Sequence, residues 1–309
     1  MPLSPLAQLR GLALLLPWTA YLLGADVVLS LLLPLKLLFP TLVFNASSLI
    51  ANSVWAWVQG IFVTWNRASI TISSNQRLPK GESAIVVANH VSWSDFYLIQ
   101  EVAQRSGMLG LCRWFAKKSL RWVPFLGWGL WAMGMPLVSR NWTKDERELE
   151  KVFRGVVQKK WPVWLISYSE GTRLTPAKQR SSIQWSRDHN RPVMKHVLYP
   201  RMHGFVATVN ALRHTKHVRA VYDMTIAYAH GQNFMQAPSF WDTFTTNFAA
   251  TGYRFYVHVD RYPIAELPET AEGLSQWLET RWVQKGNRLD DLKRKLERGE
   301  EWEADELEY

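Results

Sequence analysis

The chain has 309 residues, of which 48% are apolar, which allows a sizeable core and excludes an intrinsically disordered protein. Its single cysteine, Cys112, excludes an intramolecular disulfide framework and a multi-cysteine metal site. The net charge of +10 and the pI near 9.7 predict an anionic partner, which leaves nucleic acid, a membrane face and a phosphorylated substrate open. The 17 tryptophans favour the membrane, because amphipathic rings prefer the lipid–water interface.

The N-terminal region contains two long apolar stretches. Residues 11–35 carry one charge, Asp26, and residues 37–66 carry none. Each stretch exceeds the ~20 residues that cross a bilayer as a helix, so we predict a membrane-embedded helical hairpin with its turn at 34–40. Spanning, re-entering and lying in the interface all remain open for the second stretch, which has several Asn and Ser residues midway. A signal peptide fits poorly, because a second apolar block follows at once.

Beyond residue 67 the chain alternates β-rich runs with helical patterns, which predicts an α/β domain whose mixed sheet is flanked by helices. The predicted strands are 84–88, 163–168, 196–199, 218–228 and 254–260. A capping-box pattern at Thr143 and Glu146 predicts a helix over 143–159. The predicted domains are membrane-anchoring helices (1–66), the mixed domain (67–290) and a charged, solvated C-terminal tail (291–309).

A first motif, Asn89-His90 with Asp95 beyond it, follows the apolar run of 84–88. The histidine is therefore predicted at the end of a buried strand, where open α/β sheets place their sites. An imidazole there can take a proton from a hydroxyl when a carboxylate fixes its tautomer, and such a pair activates an alcohol for attack on an acyl group. The alternative is that Ser92-x-x-Asp95 is a capping box that only begins a helix.

A second motif lies in residues 163–176, where another apolar run leads into Glu170, Gly171, Thr172 and Arg173. Glycine lets the backbone approach a ligand closely, threonine offers a hydroxyl, and arginine offers a bidentate fork for phosphate oxygens. These residue types predict a phosphate-binding loop. The alternative is a solvated turn with a surface Arg–Glu pair.

In this order, the two motifs resemble the paired signature of the glycerolipid acyltransferases, the lysophosphatidic acid acyltransferase family. Four further blocks are similar to that family: 117–128, 135–146, 195–205 and 221–228. The resemblance covers about residues 80–285 and is strongest to the eukaryotic membrane branch, which includes lysocardiolipin and lysophosphatidylinositol acyltransferases. It makes residues 67–290 an acyltransferase domain.

The resemblance implies a role for each matching residue. His90 is implied as the general base and Asp95 as the group that orients it. The residues implied in substrate binding are Arg140, Glu170, Gly171, Thr172, Arg173, Pro200 and Arg201, with Arg140 and Arg173 on the acceptor phosphate. Lys117 and Lys118 are candidates for contact with the CoA phosphates or are solvated beside an anionic membrane. Core packing, an acyl channel and the membrane interface are all open for Trp114, Trp122, Trp128 and Trp131.

The expected reaction uses acyl-CoA as co-substrate, with no cofactor and no metal, and acylates the sn-2 hydroxyl of lysophosphatidic acid to give phosphatidic acid. Lysophosphatidylinositol or a lysocardiolipin is the alternative acceptor, and a catalytically silent membrane scaffold is the alternative from another class. The expected partners are these substrates and the bilayer, at the endoplasmic reticulum with the catalytic domain facing the cytosol. Nucleic acid is not expected, because neither an RNP-like strand nor a zinc-finger spacing occurs, and a serine hydrolase would need a G-x-S-x-G elbow.

Overall fold

A computed structural model describes residues 4–123, 126–139 and 142–304, and at 126, 142–148, 151 and 152 it describes the backbone alone. The helices are α1 Pro5–Leu32, α2 Pro40–Gly60, α3 Asp95–Arg105, α4 Leu126–Ala132, α5 Trp142–Lys159, α6 Pro176–Asp188, α7 Met202–Leu212, α8 Asp242–Thr245 and α9 Ala271–Glu297. The strands are β1 Ile70–Ser74, β2 Ser83–Ala88, β3 Cys112–Trp114, β4 Ala116–Lys117, β5 Leu137–Val138, β6 Trp164–Tyr168, β7 Val218–His230, β8 Asn233–Phe234 and β9 Tyr253–Pro263.

The main sheet of the described chain has the order β1-β9-β7-β2-β6-β3, and β8 pairs with the far end of β7. β2 lies between β6 and β7 and is parallel to both, whereas β9 is antiparallel to β7. The predicted mixed sheet is therefore confirmed. Ala88 is in register with Tyr168, so β2 and β6 end level at the same edge of the sheet.

Both faces of the sheet are covered by apolar side chains. All six residues of β2 are buried, which explains why its sequence is a continuous apolar run rather than an alternating one. One face packs against α3 and the ends of α1 and α2, and the other packs against α5, α7 and α9. The edge where β2 and β6 end is thus held by a core on either side.

Two N-terminal helical stretches, Pro5–Leu32 and Pro40–Trp65, are long and apolar enough to cross a membrane. The turn between them lies in the predicted range of 34–40 and contains a 3-10 helix, Pro34–Leu37. Along α1, Trp18 packs on Phe244 of α8 at a centroid distance of 6.2 Å. Further along, Asp26 lies against Gly129 of α4, where a Cβ would come within 2.1 Å of the carboxylate oxygen.

Helix α2 also follows the sheet domain over its whole length. Phe44 stacks on Trp161 with 4.5 Å between ring centroids, and Ser48 accepts a hydrogen bond of 2.8 Å from the buried Arg113. Near the end of the helix, Gln59 donates to the Tyr97 carbonyl over 3.1 Å. Ser48 and Gln59 thus serve contacts with the domain, whereas Asn45 and Asn52 are exposed.

Two parts of the chain differ from the sequence-based expectations. Residues 196–199 form no strand, and the prediction was wrong because Val197 and Leu198 are buried from a loop that leads into α7. Short apolar runs fit such loops as well as strands. The tail expected from residue 291 begins inside α9, which continues to Glu297. Beyond the helix, Trp302 is buried, and its ring N–H donates a hydrogen bond of 3.0 Å to the Leu292 carbonyl.

Candidate active site

The two motifs meet at the shared end of β2 and β6. His90 follows β2, and the loop of residues 170–173 follows β6. Past this loop, the Leu174 amide donates a hydrogen bond of 2.7 Å to the His90 carbonyl, which ties the second motif directly to the first. The predicted strand-end positions of both motifs are confirmed, and the level ends of two parallel strands are the physical reason.

His90 and Asp95 form a hydrogen-bonded pair, with 2.7 Å between His90 Nδ1 and Asp95 Oδ2. The Asp95 side chain is fully buried, whereas the imidazole is 18% exposed. Because the carboxylate only accepts, the pair places a proton on Nδ1 and leaves the lone pair of Nε2 available. This arrangement can accept a proton from a hydroxyl group brought to the exposed edge of the ring.

Asp95 is held by more than the histidine. Its carboxylate also accepts hydrogen bonds from the amide of Val91 at 2.8 Å and from the amide of Ser92 at 3.1 Å. The capping-box alternative does not form, because the N-cap of α3 is Ser94 and no described side chain caps the helix. The Asp95 carboxylate instead bonds His90 and the two amides that precede the helix. The same two amides, near the start of α3, are occupied by Asp95 and not aimed at a ligand.

Two tyrosines support this pair, and neither was singled out from the sequence. Tyr228 donates its phenolic proton to Asp95 Oδ1 over 2.9 Å. Tyr168 stacks on the His90 ring with 4.0 Å between centroids and 10° between planes. Burial, together with the Asp95 carboxylate, raises the pKa of both phenols, so both remain neutral at physiological pH. Tyr168 was predicted as a strand end, but its stacking depends on the register of β2 and β6.

Asn89 locks the first motif to the neighbouring strand. Its side-chain amide donates to the Ile226 carbonyl over 2.9 Å and accepts from the Ile226 amide over 2.8 Å. β2 stops at Ala88, in register with Met224, whereas β7 continues to His230. The Asn89 side chain thus takes the place of the next rung of the ladder, and the overhanging part of β7 carries Tyr228 to Asp95.

The loop after β6 has a buried beginning and an open end. Gly171 adopts a φ of 68°, and a Cβ there would lie 3.0 Å from the side chain of Arg201, so the position requires glycine. Thr172 accepts a hydrogen bond from Lys178, and Arg173 is exposed. The alternative of a surface Arg–Glu pair fails within the described chain, because Glu170 is buried whereas Arg173 is not.

Glu170 lies under the loop with both carboxyl oxygens buried, close to the backbone amides of Leu198 and His90. Burial raises the pKa of this carboxyl well above its ordinary value, the Asp95 carboxylate adds to the rise, and the Lys285 ammonium opposes it. A neutral carboxylic acid at this position avoids the cost of a buried unpaired charge. Glu170 is thus the buried anchor of the loop and lies near Asp95, whereas Arg173 is the exposed cation of the loop.

The remaining predicted residues divide into near and distant groups. Pro200 is buried, and Arg201 is the N-cap of α7. The Arg201 backbone N–H donates a hydrogen bond of 2.7 Å to the Ser169 carbonyl, so both residues lie beside the loop of 170–173. For Lys117 and Lys118, no contact in the described chain joins their side chains to that loop or to His90. Arg140 lies outside the described residues.

Comparisons with known proteins identify the family of the chain. Residues 69–229 match the family model described as Acyltransferase, and residues 248–300 match the model described as Acyltransferase C-terminus. The chain belongs to the acyltransferase family. Its predicted resemblance to that family is confirmed by a model that spans both motifs and the strands between them.

Similar proteins carry related names. The chain is 32% identical over 245 residues to 1-acyl-sn-glycerol-3-phosphate acyltransferase 2 of Brassica napus, an alignment that covers 78% of this chain and 60% of the relative. It is 32% identical over 224 residues to 1-acyl-sn-glycerol-3-phosphate acyltransferase delta of Homo sapiens, covering 72% of this chain and 57% of the relative. The chain thus spans less than two thirds of the length of these relatives.

The fold has a solved counterpart. The crystal structure of the 1-acyl-sn-glycerophosphate (LPA) acyltransferase PlsC from Thermotoga maritima superposes with a TM-score of 0.50 and covers 89% of this chain and 98% of that one. Their sequences are 17% identical, so the likeness concerns the fold. It supports the mixed sheet with flanking helices.

Proposed function

We propose that the protein is an acyl-CoA-dependent acyltransferase that acylates the free sn-2 hydroxyl of lysophosphatidic acid and yields phosphatidic acid. The observation that carries the proposal is the 2.7 Å contact between His90 Nδ1 and the buried Asp95, at a strand end bonded to the loop of 170–173. The names of the relatives support lysophosphatidic acid as the acceptor.

The proposed reaction needs no nucleophile from the protein. His90 Nε2 takes the proton of the acceptor hydroxyl as its oxygen attacks the thioester carbonyl carbon, and the carbonyl electrons move to the thioester oxygen. When the carbonyl re-forms, the C–S bond breaks and the leaving sulfur takes the proton from the imidazolium. Ester and CoA thiol are released, and His90 returns to its starting state.

Asp95 acts on the histidine rather than on the substrate in this scheme. Its carboxylate fixes the tautomer and stabilises the imidazolium that forms during the transfer. The two backbone amides and the Tyr228 phenol keep the carboxylate in place without competing for the imidazole Nε2. The base is thus oriented before substrates arrive, which removes a reorganisation cost from the barrier.

Arg173 is proposed to grip the acceptor phosphate, with Thr172 and Gly171 shaping the loop around it. A guanidinium donates two parallel N–H groups to phosphate oxygens, and Arg173 is exposed where such a group can arrive. Arg201 packs against Gly171 and adds a second cation at the loop. Arg140 is proposed for the same phosphate on the resemblance alone.

The protein is proposed to sit on a membrane, with its N-terminal hairpin in the cytosolic leaflet of the endoplasmic reticulum. Helix α1, with 28 residues at about 1.5 Å each, is about 42 Å long. The sheet domain contacts it near Trp18 and again near Asp26, and it contacts α2 from Phe44 to Gln59. Since a water-exposed domain cannot touch a spanning helix along its whole length, these contacts support a hairpin that lies within one leaflet instead of spanning the bilayer.

An acyl-transfer assay with purified full-length protein tests the proposed function. The protein is given oleoyl-CoA and, in separate reactions, lysophosphatidic acid, lysophosphatidylinositol and monolysocardiolipin, and the products are identified by mass. Preparations from cells with an empty vector control for host enzymes. We expect phosphatidic acid to form fastest, with release of one CoA thiol per ester. A different preferred acceptor would overturn the headgroup assignment, and no transfer to any acceptor would favour a silent scaffold.

A further inference from the structure

Three tryptophans beside the hairpin are unusually open to solvent. Trp122 is 75% exposed, Trp131 is 60% exposed and Trp128 is 51% exposed. Trp122 ends a 3-10 helix, Lys118–Trp122, and the other two lie on α4. A buried core position, which is the ordinary role of such a large ring, is therefore excluded for all three. We call these three residues the tryptophan patch.

We propose that the tryptophan patch is a third membrane contact, which seats this face of the protein in the interfacial layer of an anionic bilayer. The proposal rests on the membrane location given above and adds to it an element outside the N-terminal hairpin. Tryptophan suits this layer, because its ring is apolar and its N–H remains able to bond with water or headgroups.

The patch is continuous with the apolar surface of the hairpin. Gly129 of α4 lies directly against the Asp26 carboxylate of α1, where a larger residue would not fit. This close contact fixes α4 to the hairpin. At the hairpin turn, Lys36 donates to the Ala132 carbonyl over 3.3 Å and lies 6.0 Å from the centre of the Trp131 ring. Next to this contact Leu37 is exposed, together with its neighbours Leu35, Leu38 and Phe39.

The charges around the patch favour an anionic lipid surface. The Arg121 guanidinium stacks on the Trp122 ring at 4.6 Å, and Lys117 is exposed on the neighbouring strand. Basic residues near an anionic bilayer are attracted to its headgroups. The apolar rings thus suit the boundary of the acyl chains, and the adjacent cations suit the anionic headgroups above it.

This seat also relates the membrane to the reaction. β3, which precedes the patch, lies next to β6 in the sheet, and β6 leads into the loop of 170–173. Trp114 of β3, the outer strand of the sheet, packs on Trp55 of α2 with 4.9 Å between ring centroids. The patch, the hairpin and this outer strand therefore form one packed unit. We expect the patch to fix the height of the acceptor loop above the lipid headgroups.

Spin labels at single introduced cysteines test the proposal. The native Cys112 is buried and is replaced by alanine in all proteins. Labels are placed by Trp122→Cys and Trp131→Cys in the patch, by Leu16→Cys on the exposed side of α1, and by Trp185→Cys on α6 as the matched control. The full-length proteins are reconstituted into phosphatidylcholine vesicles with 30% phosphatidylserine, and collisions with oxygen and with a water-soluble nickel chelate are compared.

We expect the labels at 122 and 131 to collide with oxygen, relative to the nickel chelate, at least threefold more than the label at 185. Equal ratios at all three positions, with a lipid-exposed label at 16, would overturn the patch and leave the hairpin location intact. A water-exposed label at 16 would overturn the membrane location and the patch with it. Dipolar broadening between labels at 122 would show that a second copy covers the patch, and would also overturn the proposal.

Discussion

The His90–Asp95 pair and the loop of residues 170–173 lie at the same sheet edge, but they are built in opposite ways. Asp95 is buried, and its hydrogen-bonding capacity is filled by His90, Tyr228 and backbone amides. The loop presents Arg173 to solvent. Proton transfer needs a base whose direction is fixed in advance, whereas anion binding needs a cation that a substrate can reach. The structure thus separates a completed part of the site from a part that the substrate completes.

Asp95→Asn should have the largest effect on the completed part. The amide keeps the shape but removes the negative charge and one of the two acceptor oxygens, so the imidazolium loses its stabilising partner. We expect kcat to fall about 10²- to 10⁴-fold in acyl-transfer assays. The KM for the acceptor should stay within about twofold, since the pair acts on chemistry rather than binding. A rise in KM with unchanged kcat would contradict this division.

Arg173→Lys should affect the open part instead. An ammonium keeps the charge but loses the bidentate geometry, so the acceptor KM should rise about tenfold, equivalent to about 1.4 kcal/mol. The KM for acyl-CoA should not change. Arg180→Lys, an exposed position on α6, is the matched control. Equal losses for both substrates would show that Arg173 does not bind the acceptor phosphate.

Tyr228→Phe should have a smaller effect, confined to kcat. Loss of one hydrogen bond to Asp95 predicts a two- to tenfold lower kcat, from about 0.5–1.5 kcal/mol. The KM for the acceptor should stay within about twofold, because Tyr228 holds Asp95 and touches no substrate in the proposed scheme. Tyr222→Phe is the control, because Tyr222 lies on the same strand and its phenol bonds to Glu82 instead. Equal kcat values for both variants and the wild type would exclude Tyr228 as a positioning residue.

Glu170→Gln tests the raised pKa of the buried Glu170 carboxyl through the pH dependence of stability. Because burial raises the pKa of Glu170, the folded state holds its proton more tightly than the unfolded state, and the wild type loses stability as the pH rises above the ordinary glutamate range. Glutamine carries no such penalty. The Tm of the variant relative to wild type should therefore increase between pH 5 and pH 8, by roughly 2–4 °C for about 1 kcal/mol. A difference that shrinks over this range would contradict a raised pKa.

The positions of both motifs could be predicted from the sequence, because each follows an apolar run that is typical of a strand in the middle of a sheet. Tyr228 could not, since it lies among apolar residues of β7 and meets Asp95 only because β7 continues beyond the end of β2. That offset is a property of sheet register, which local patterns do not encode. The capping-box interpretation of Ser92 and Asp95 was wrong, because α3 begins at Asp95 with Ser94 as its N-cap, whereas the predicted contact between Asp95 and His90 is present.

The same distinction applies to the N-terminal helices. Their length and apolar character are readable from the sequence, and both helices form as predicted. Their arrangement was not readable, because the contacts of Ser48 and Gln59 are made with residues distant in the chain. In the sequence, the polar residues of the second stretch left spanning, re-entry and an interfacial position open, and only the structure shows that Ser48 and Gln59 bond the sheet domain.

The most direct test of the account is the turnover of His90→Ala with acyl-CoA and lysophosphatidic acid at saturating concentrations. Without the imidazole, Asp95 keeps its hydrogen bonds from Val91, Ser92 and Tyr228, so the variant should still fold, which a thermal melt checks. We predict that kcat falls about 10²- to 10⁴-fold, the usual contribution of a positioned base. Wild-type turnover by the folded variant would show that another group accepts the proton, and would contradict the account.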